Sequence, residues 1–505
     1  MRKRNIYTKD WLNHHPYKTS DAVDSYFADL ADKVYNIITT SIISDAFIDS
    51  ATTKDVAIRL TMWFEDLVSE IGIWKAVTSE FKQRYNYTLP FYELNEYYEE
   101  GMVNIEDIRF LIWNEMQSLH KEMFINPENI GINVLSHAIF KLFEDEWEYA
   151  PENERLHAFI HNETITDSYW EARKLIEWFH RHAFVSTKSK TDLLESFEYN
   201  QENNNINPMQ LFYFVEIEKI FNSKNNLLSL TAAQWIARIR DEKEFEIWDN
   251  IRWKSPLPHA VIGDDDITLQ VKNLVTEEIF HIEKESFDDS LKKHRFGQEE
   301  TLLCSTVSYK DKFFQCGMMT VSSGNRLKEL ADDYRYKYEF VNEQSTIYPV
   351  FIKAFKGRDM VFVGSEDDFA KVFKKIGFDE FKPTSFDKCC AIYCSPINGV
   401  GCCFDESVCI CDKENPYYDK EYARKNAHNF YFNNGIVEYR LLCNLHDKNL
   451  LPDAHINNVE GNEKKGRDFI RKYGSYLIDY FHSKSRKYDY DAKIDIHQFN
   501  LEKYD

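Results

Sequence analysis

Cys389-Cys390-Ala391-Ile392-Tyr393-Cys394-Ser395-Pro396-Ile397-Asn398-Gly399, continued by Cys402-Cys403, Cys409 and Cys411, carries seven of the ten cysteines of this 505-residue chain. The Asn398-Gly399 pair favours positive φ and a tight reversal, so the stretch reads as a β-hairpin. On its first strand the period of two places Cys390, Ile392 and Cys394 on one face and Cys389, Ala391 and Tyr393 on the other. Both faces are mostly apolar, which is expected of a central strand covered on both sides. Cys390-x3-Cys394, with Cys402 or Cys403 and Cys409 or Cys411 opposite, has spacing that tetrahedral zinc accepts. Thiols spread over both faces of a pleated strand cannot converge on one ion, however, and free cysteine packs as a small hydrophobe. The cysteines are therefore read as core, with no metal and no other cofactor assigned. Cys304 and Cys316, flanking another hairpin, and Cys443, on a predicted helix, read the same way.

Working outward, the hairpin belongs to a segment where strands and helices alternate. Val361-Phe362-Val363 predicts a strand, and Asp367 to Ile376, Lys420 to Phe432, Ile436 to Leu445 and Phe469 to Phe481 predict helices. Upstream, Ile267 to Val271, Glu278 to Ile282, Leu302 to Tyr309 and Phe313 to Val321 have strand character, giving a small antiparallel sheet or partly open barrel. Ser255-Pro256-Leu257-Pro258 marks the change of character before them. The first 255 residues are helical in period. Phe27, Leu30, Val34, Ile37 and Ile38 form one stripe after a cap at Ser20 or Asp21. Val56 to Ile71 form a second, ending near Gly72. Asn104 and Asp107 resemble a cap before a third, Ile108 to Met123, and Val134 to Trp147 form a fourth that Pro151 ends. Further helices are predicted around Trp170 to Phe184, Met209 to Phe221 and Thr231 to Arg240. The expected fold class is α+β multidomain: an all-α half over 1–255, a small antiparallel β module over 256–340 and an α+β domain over 341–505. Gln201 to Pro208 reads as an exposed loop, and the tail after Lys487 is expected to fray.

Composition narrows the partners. Aromatic content of 15% with only 16 Gly and 12 Pro disfavours long disordered linkers. A formal charge of −22 repels phosphate backbones and anionic membranes unless a basic patch overrides it. The densest basic run, Lys464 to Lys472, reads as the solvated start of an amphipathic helix. Met1-Arg2-Lys3-Arg4 lacks the apolar core of a signal peptide behind it, and no apolar run reaches transmembrane length. A cytoplasmic protein with reduced thiols is expected, partnered by another protein rather than by nucleic acid or a membrane.

Chemistry-bearing patterns are sparse. His157 and His161 have the i, i+4 spacing of a zinc pair, with His180 and His182 further on, but Ala158 stands where a zincin has glutamate. His446-Asp447, with His428 and Asp453, follows the ligand order of phosphohydrolases built on an HD dipeptide; a helix-end surface pair is the simpler reading. Gly263-Asp264-Asp265-Asp266 reads as a turn rather than a cation loop. No phosphate loop or nucleophile elbow is present. Tyr97-Tyr98, Tyr417-Tyr418 and Phe430-Tyr431-Phe432 are core or interface anchors. Beside Glu96, Glu99 and Glu100, the first of these suits a protein groove better than nucleic acid.

Phe64-Glu65-Asp66-Leu67-Val68-Ser69, Leu89-Pro90-Phe91-Tyr92, Glu148-Tyr149-Ala150-Pro151-Glu152-Asn153, Asp412 to Asp419 and Leu451-Pro452-Asp453-Ala454 resemble stretches of the bacterial proteins grouped as domain of unknown function 3843. The likeness spans nearly the whole chain and implies no catalytic residue. The cysteine-rich hairpin departs from it, those positions being other apolar residues in the family pattern. A non-enzymatic interaction or regulatory factor is thus the leading expectation. A metal-dependent hydrolase with a His/carboxylate site at an interdomain cleft and a nucleic-acid-associated protein are the alternatives.

Overall fold

The computed structural model describes residues 4–120, 123–186, 198, 208–225, 227–323, 326–378, 385–396, 399–432, 437–452 and 463–482. Helix and sheet are mixed, and the chain divides into two compact units. The first is Met1–Trp253 with Thr306–Gly317; the second is Lys254–Ser305 with Met318–Asp505. The first unit holds α1 (Thr8–Leu12), α2 (Ala22–Thr39), α3 (Ser50–Val68), α4 (Ile73–Tyr85), α5 (Ile105–Leu119), α6 (Ile130–Glu146), α7 (Glu154–His161), α8 (Tyr169–His182), α9 (Pro208–Asn222), α10 (Ala232–Ile239) and α11 (Phe245–Asp249).

The apolar stripes become its core: Phe27, Leu30, Val34 and Ile38 of α2 are buried, as are Val56, Leu60, Trp63 and Phe64 of α3. Asp21 caps α2, its carboxylate accepting from Val23 N at 2.9 Å and Asp24 N at 3.2 Å, while Asp24 accepts from Asp21 N at 2.9 Å. Such a reciprocal box contributes about 1 kcal/mol. Gly72, at φ 92°, makes the left-handed turn from α3 into α4. Asp66 then caps α4 by accepting from Ile73 N and Trp74 N, each at 2.8 Å.

The predicted strands close on themselves. β1 (Arg252–Asp264), β2 (Thr268–Asn273), β3 (Ile279–Glu283), β4 (Glu300–Tyr309) and β5 (Lys312–Ser323) form a closed barrel in the order β1-β2-β3-β5-β4, with α12 (Asp289–Lys293) between β3 and β4. That order, with its short intervening helix, is the topology of the OB-type Greek-key barrel, which by itself fixes no function. The barrel is closed where a partly open one was one expectation. Ser255-Pro256-Leu257-Pro258 is itself strand, inside β1. Prolines are tolerated there because the ladder to β2 begins only at His259 opposite Asn273. Val261, Leu269, Val271, Phe280 and Ile282 are buried. The returning turn of β4 and β5 packs within the first unit, where Tyr169 stacks on Phe314 at 4.3 Å and the Tyr309 hydroxyl donates to the Thr166 carbonyl at 2.6 Å.

Downstream, α13 (Arg326–Ala354) was not foreseen; its apolar residues are scattered and Pro349 lies inside it. β6 (Met360–Val363), α14 (Glu366–Lys375), β7 (Cys390–Ser395) and β8 (Gly399–Phe404) follow, then α15 (Lys420–Phe432), α16 (Tyr439–Asp447) and α17 (Glu463–Phe481). β6, β7 and β8 form an antiparallel sheet with β7 in the middle. Phe351, Phe369 and Phe373 cover one face and Phe430, Leu441, Leu442 and Ile478 the other. This is why neither face of β7 is polar. The hairpin tip at Ile397 and Asn398, the loop over 201–207 and the tail after Lys487 lie outside the described residues.

Candidate functional site

Between Phe91 and α5 a loop leaves Glu93, Asn95, Glu96, Tyr97, Glu99 and Glu100 exposed, with Tyr97 at 82% exposure. Hydrogen bonds pin it from beneath. Tyr97 N donates to Asn95 Oδ1 at 2.7 Å, and Asn95 Nδ2 donates to Glu106 Oε1 at 2.9 Å. The Tyr98 hydroxyl donates to Asp107 Oδ1 at 3.2 Å. Asn104 stands at the N-cap position of α5 but makes no cap bond; its amide accepts from Glu99 N at 3.1 Å and donates to the carbonyls of Glu99 and Met102 at 2.9 and 3.0 Å. The expected cap is thus a loop clasp. Burial lifts Asp107 to about 7, against the lowering effect of the Asn104 and Tyr98 hydrogen bonds. Lys82 pairs with Glu100 at the loop's edge. The result is a phenol held out among carboxylates, with its conformational cost already met by the fold. That arrangement can stack on a guanidinium and attract ammonium groups. The other aromatic runs differ: Phe430, Tyr431 and Phe432 are core, and Tyr417 is only 36% exposed.

A second constellation lies inside the first unit and escaped the sequence reading. His15 Nε2 meets Glu65 Oε2 at 3.1 Å, and Asn153 Nδ2 donates to Glu65 Oε1 at 2.8 Å and to the Tyr17 oxygen at 2.7 Å. The Tyr17 hydroxyl donates to Asp24 Oδ1 at 3.3 Å, and Arg155 donates to Asp24 Oδ2 at 2.6 Å while its guanidinium lies 3.8 Å above the Tyr17 ring. Asn153 N donates to Ser69 Oγ at 2.8 Å. Burial works to lower His15, but the Glu65 carboxylate, the Trp11 carbonyl and Asp24 together outweigh it and hold the imidazole above its ordinary value. His15, Glu65, Asp24 and Asn153 are all buried, so the network clamps the N-terminal segment to α3 and to the start of α7. Glu65, Ser69 and Asn153 belong to stretches already singled out; no spacing connected them to His15 or Tyr17.

A family model described as protein of unknown function (DUF3843) matches residues 5–312 and 317–482. The chain belongs to this family. No curated protein and no solved structure matches it.

In this DUF3843 chain the hairpin cysteines separate by face. Cys389, Cys403 and Cys409 sit in one apolar cluster with Ala391 and Tyr393; Cys390 and Cys394 sit in the other with Ile392, and Cys402 packs at its margin. Burial pushes the Cys394 thiol up to about 11 and the Cys403 thiol up to about 12. Cys411 is exposed, and none of the ten cysteines is in a disulfide. His157 and His161 come together on α7 with ring centroids 4.5 Å apart, but His161 Nε2 is engaged with the Ile71 carbonyl at 2.8 Å. His446 faces Ser475 Oγ at 3.3 Å and Asp447 at 3.7 Å, while the His428 side chain and Asp453 lie outside the described residues. The three aspartates of the β1–β2 turn are separately engaged: Asp264 with Lys284, Asp265 with the backbone N–H groups of Ile267 and Thr268, and Asp266 with Arg295. Among the described residues no group of three or more His, Cys, Asp or Glu side chains is placed to hold a metal ion. No helix among them is long and apolar enough to cross a membrane.

Proposed function

We propose that this DUF3843 protein is a cytoplasmic interaction or regulatory factor without catalysis of its own, which engages a basic surface on a partner protein through the Tyr97 loop. One observation carries the reading: an aromatic side chain exposed to 82% on a loop whose backbone is fixed by Asn95, Tyr98 and Asn104. Tyrosine supplies large contact area at small entropic cost, and a rigid loop has little ordering left to lose on binding. Glu93, Glu96, Glu99 and Glu100 select for lysine- and arginine-rich surfaces. The same carboxylates, with a net charge of −22, repel nucleic acid.

The test is recovery of affinity-tagged full chain from the native host, as wild type and as Tyr97→Ala. A stoichiometric partner should accompany the wild type and be lost with Tyr97→Ala at unchanged thermal midpoint. Recovery of the chain alone from several growth states would refute the reading.

A further inference from the structure

Cysteines adjacent in sequence point to opposite faces of a strand, so Cys389-Cys390 and Cys402-Cys403 give each face of the sheet one thiol from either side of the hairpin. The register then brings the thiols together. Cys402 stands opposite Ile392 and Cys403 opposite Ala391, which puts Cys402 one diagonal step from Cys390 and Cys403 one diagonal step from Cys389. Side chains in that relation are within each other's reach.

The two faces treat their pairs differently. Cys389 and Cys403 are both buried, and Cys389 Sγ meets Ser407 Oγ at 2.9 Å, so that pair is sealed and partly engaged elsewhere. On the other face Cys390 is fully buried, but Cys402 is only half-buried on β8, an edge strand of the sheet. Here the two thiols share a hydrogen bond, with Cys390 donating to the Cys402 sulfur. That bond keeps the proton on Cys390 and holds the Cys402 thiol below its ordinary value, against the opposing effect of burial. A reachable sulfur with thiolate character beside a buried thiol is the arrangement of an attacking and a resolving cysteine.

We propose that Cys390 and Cys402 form a modification site, which a small disulfide oxidises to a reversible intramolecular disulfide between β7 and β8. The Cys402 thiolate attacks one sulfur of the small disulfide, whose S–S bond breaks and releases one thiolate. Cys390 then gives up its proton and attacks the Cys402 sulfur, expelling the second thiolate. Two protein thiols are oxidised, one small disulfide is reduced to two thiols, and the two protons leave on them. Diagonal neighbours stand about 7–8 Å apart, beyond the range of about 4.4–6.8 Å between the Cα atoms of a relaxed disulfide, so closure draws the edge strand inward. The strained bond that results is readily reduced. This site is separate from the Tyr97 loop and stands if that loop proves idle.

The test is made on the full chain carrying Cys411→Ser, which removes the exposed thiol. Folded protein is incubated with oxidised glutathione, quenched in acid, alkylated in denaturant and mapped by tandem mass spectrometry. A Cys390–Cys402 cross-link without retained glutathione should appear, and dithiothreitol should remove it. Cys402→Ser should leave Cys390 unoxidised, Cys390→Ala should trap glutathione on Cys402, and Cys403→Ala should leave the cross-link intact. A Cys389–Cys403 cross-link in its place overturns the proposal, as does glutathione held stably on Cys402 while Cys390 is present. So does finding both thiols reduced under conditions that fully modify Cys411 in the wild type; these three outcomes are read without any change to the hairpin pairs.

Discussion

In the first unit Glu65 lies fully buried between His15 and Asn153, whereas in the second unit Cys390 and Cys403 lie equally deep among Ile392, Phe369, Ala391 and Tyr393. Both sets of residues could pass for a reactive site by composition. The first is bound by directional contacts that tie three distant stretches together, so each member depends on the others. The second is held by non-directional packing, and its thiols behave as small apolar side chains. A buried polar group specifies a geometry; a buried thiol fills a space.

The largest effect separating the two modes is expected at Glu65. Glu65→Ala leaves His15 and Asn153 buried without their partner and should cost about 3–5 kcal/mol in urea unfolding of the full chain. Hydrogen exchange should localise the loosening to α1, α3 and the start of α7. Because His15 is held above its ordinary value, its contribution is complete below the unfolded-state value and is lost as pH rises through the folded one. The gap between wild type and Glu65→Ala should therefore narrow in alkali; a gap independent of pH would show that the imidazole is uncoupled from Glu65.

The barrel should respond in the opposite direction. Burial drives His259 down to about 4, so the folded barrel holds it neutral while the unfolded chain takes up a proton near 6.5. Its contribution is complete above 6.5 and is lost as pH falls toward 4, a change of about 3 kcal/mol at most. Protection of β1 and β2 amides in the full chain should fall over that window and become flat in His259→Leu. The smallest effect belongs to the cysteine ribbon. Cys403→Ala should cost roughly 1 kcal/mol, the price of one small buried group, with no dependence on added zinc or chelator; a zinc-dependent shift in its midpoint would erase the contrast between the units.

Elements with a repeated period were legible in the sequence. The stripes of α2, α3 and α6, the Asp21 cap and the strands β2 to β5 all stand close to where the periods of 3.6 and 2 put them. β1 was hidden because Pro256 and Pro258 look like punctuation until one knows that the ladder to β2 begins after them. α13 was hidden by its broken stripe and by Pro349. Of the loop, the acidic and aromatic composition was visible, but the exposure of Tyr97 against the anchoring of Tyr98 depends on where Asp107 points. The His15 network could not be read at all, since its members are scattered from His15 to Arg155 and meet only through the packing of α2, α3 and α7.

The return of Thr306–Gly317 to the first unit also orders events during synthesis. A ribosome that has released Trp253 has not yet delivered Phe314, on which Tyr169 stacks, or Cys316, whose carbonyl accepts from Trp253 Nε1 at 2.8 Å. Tyr169 and the Trp253 indole N–H therefore go without these partners until the strands up to β5 have emerged from the exit tunnel.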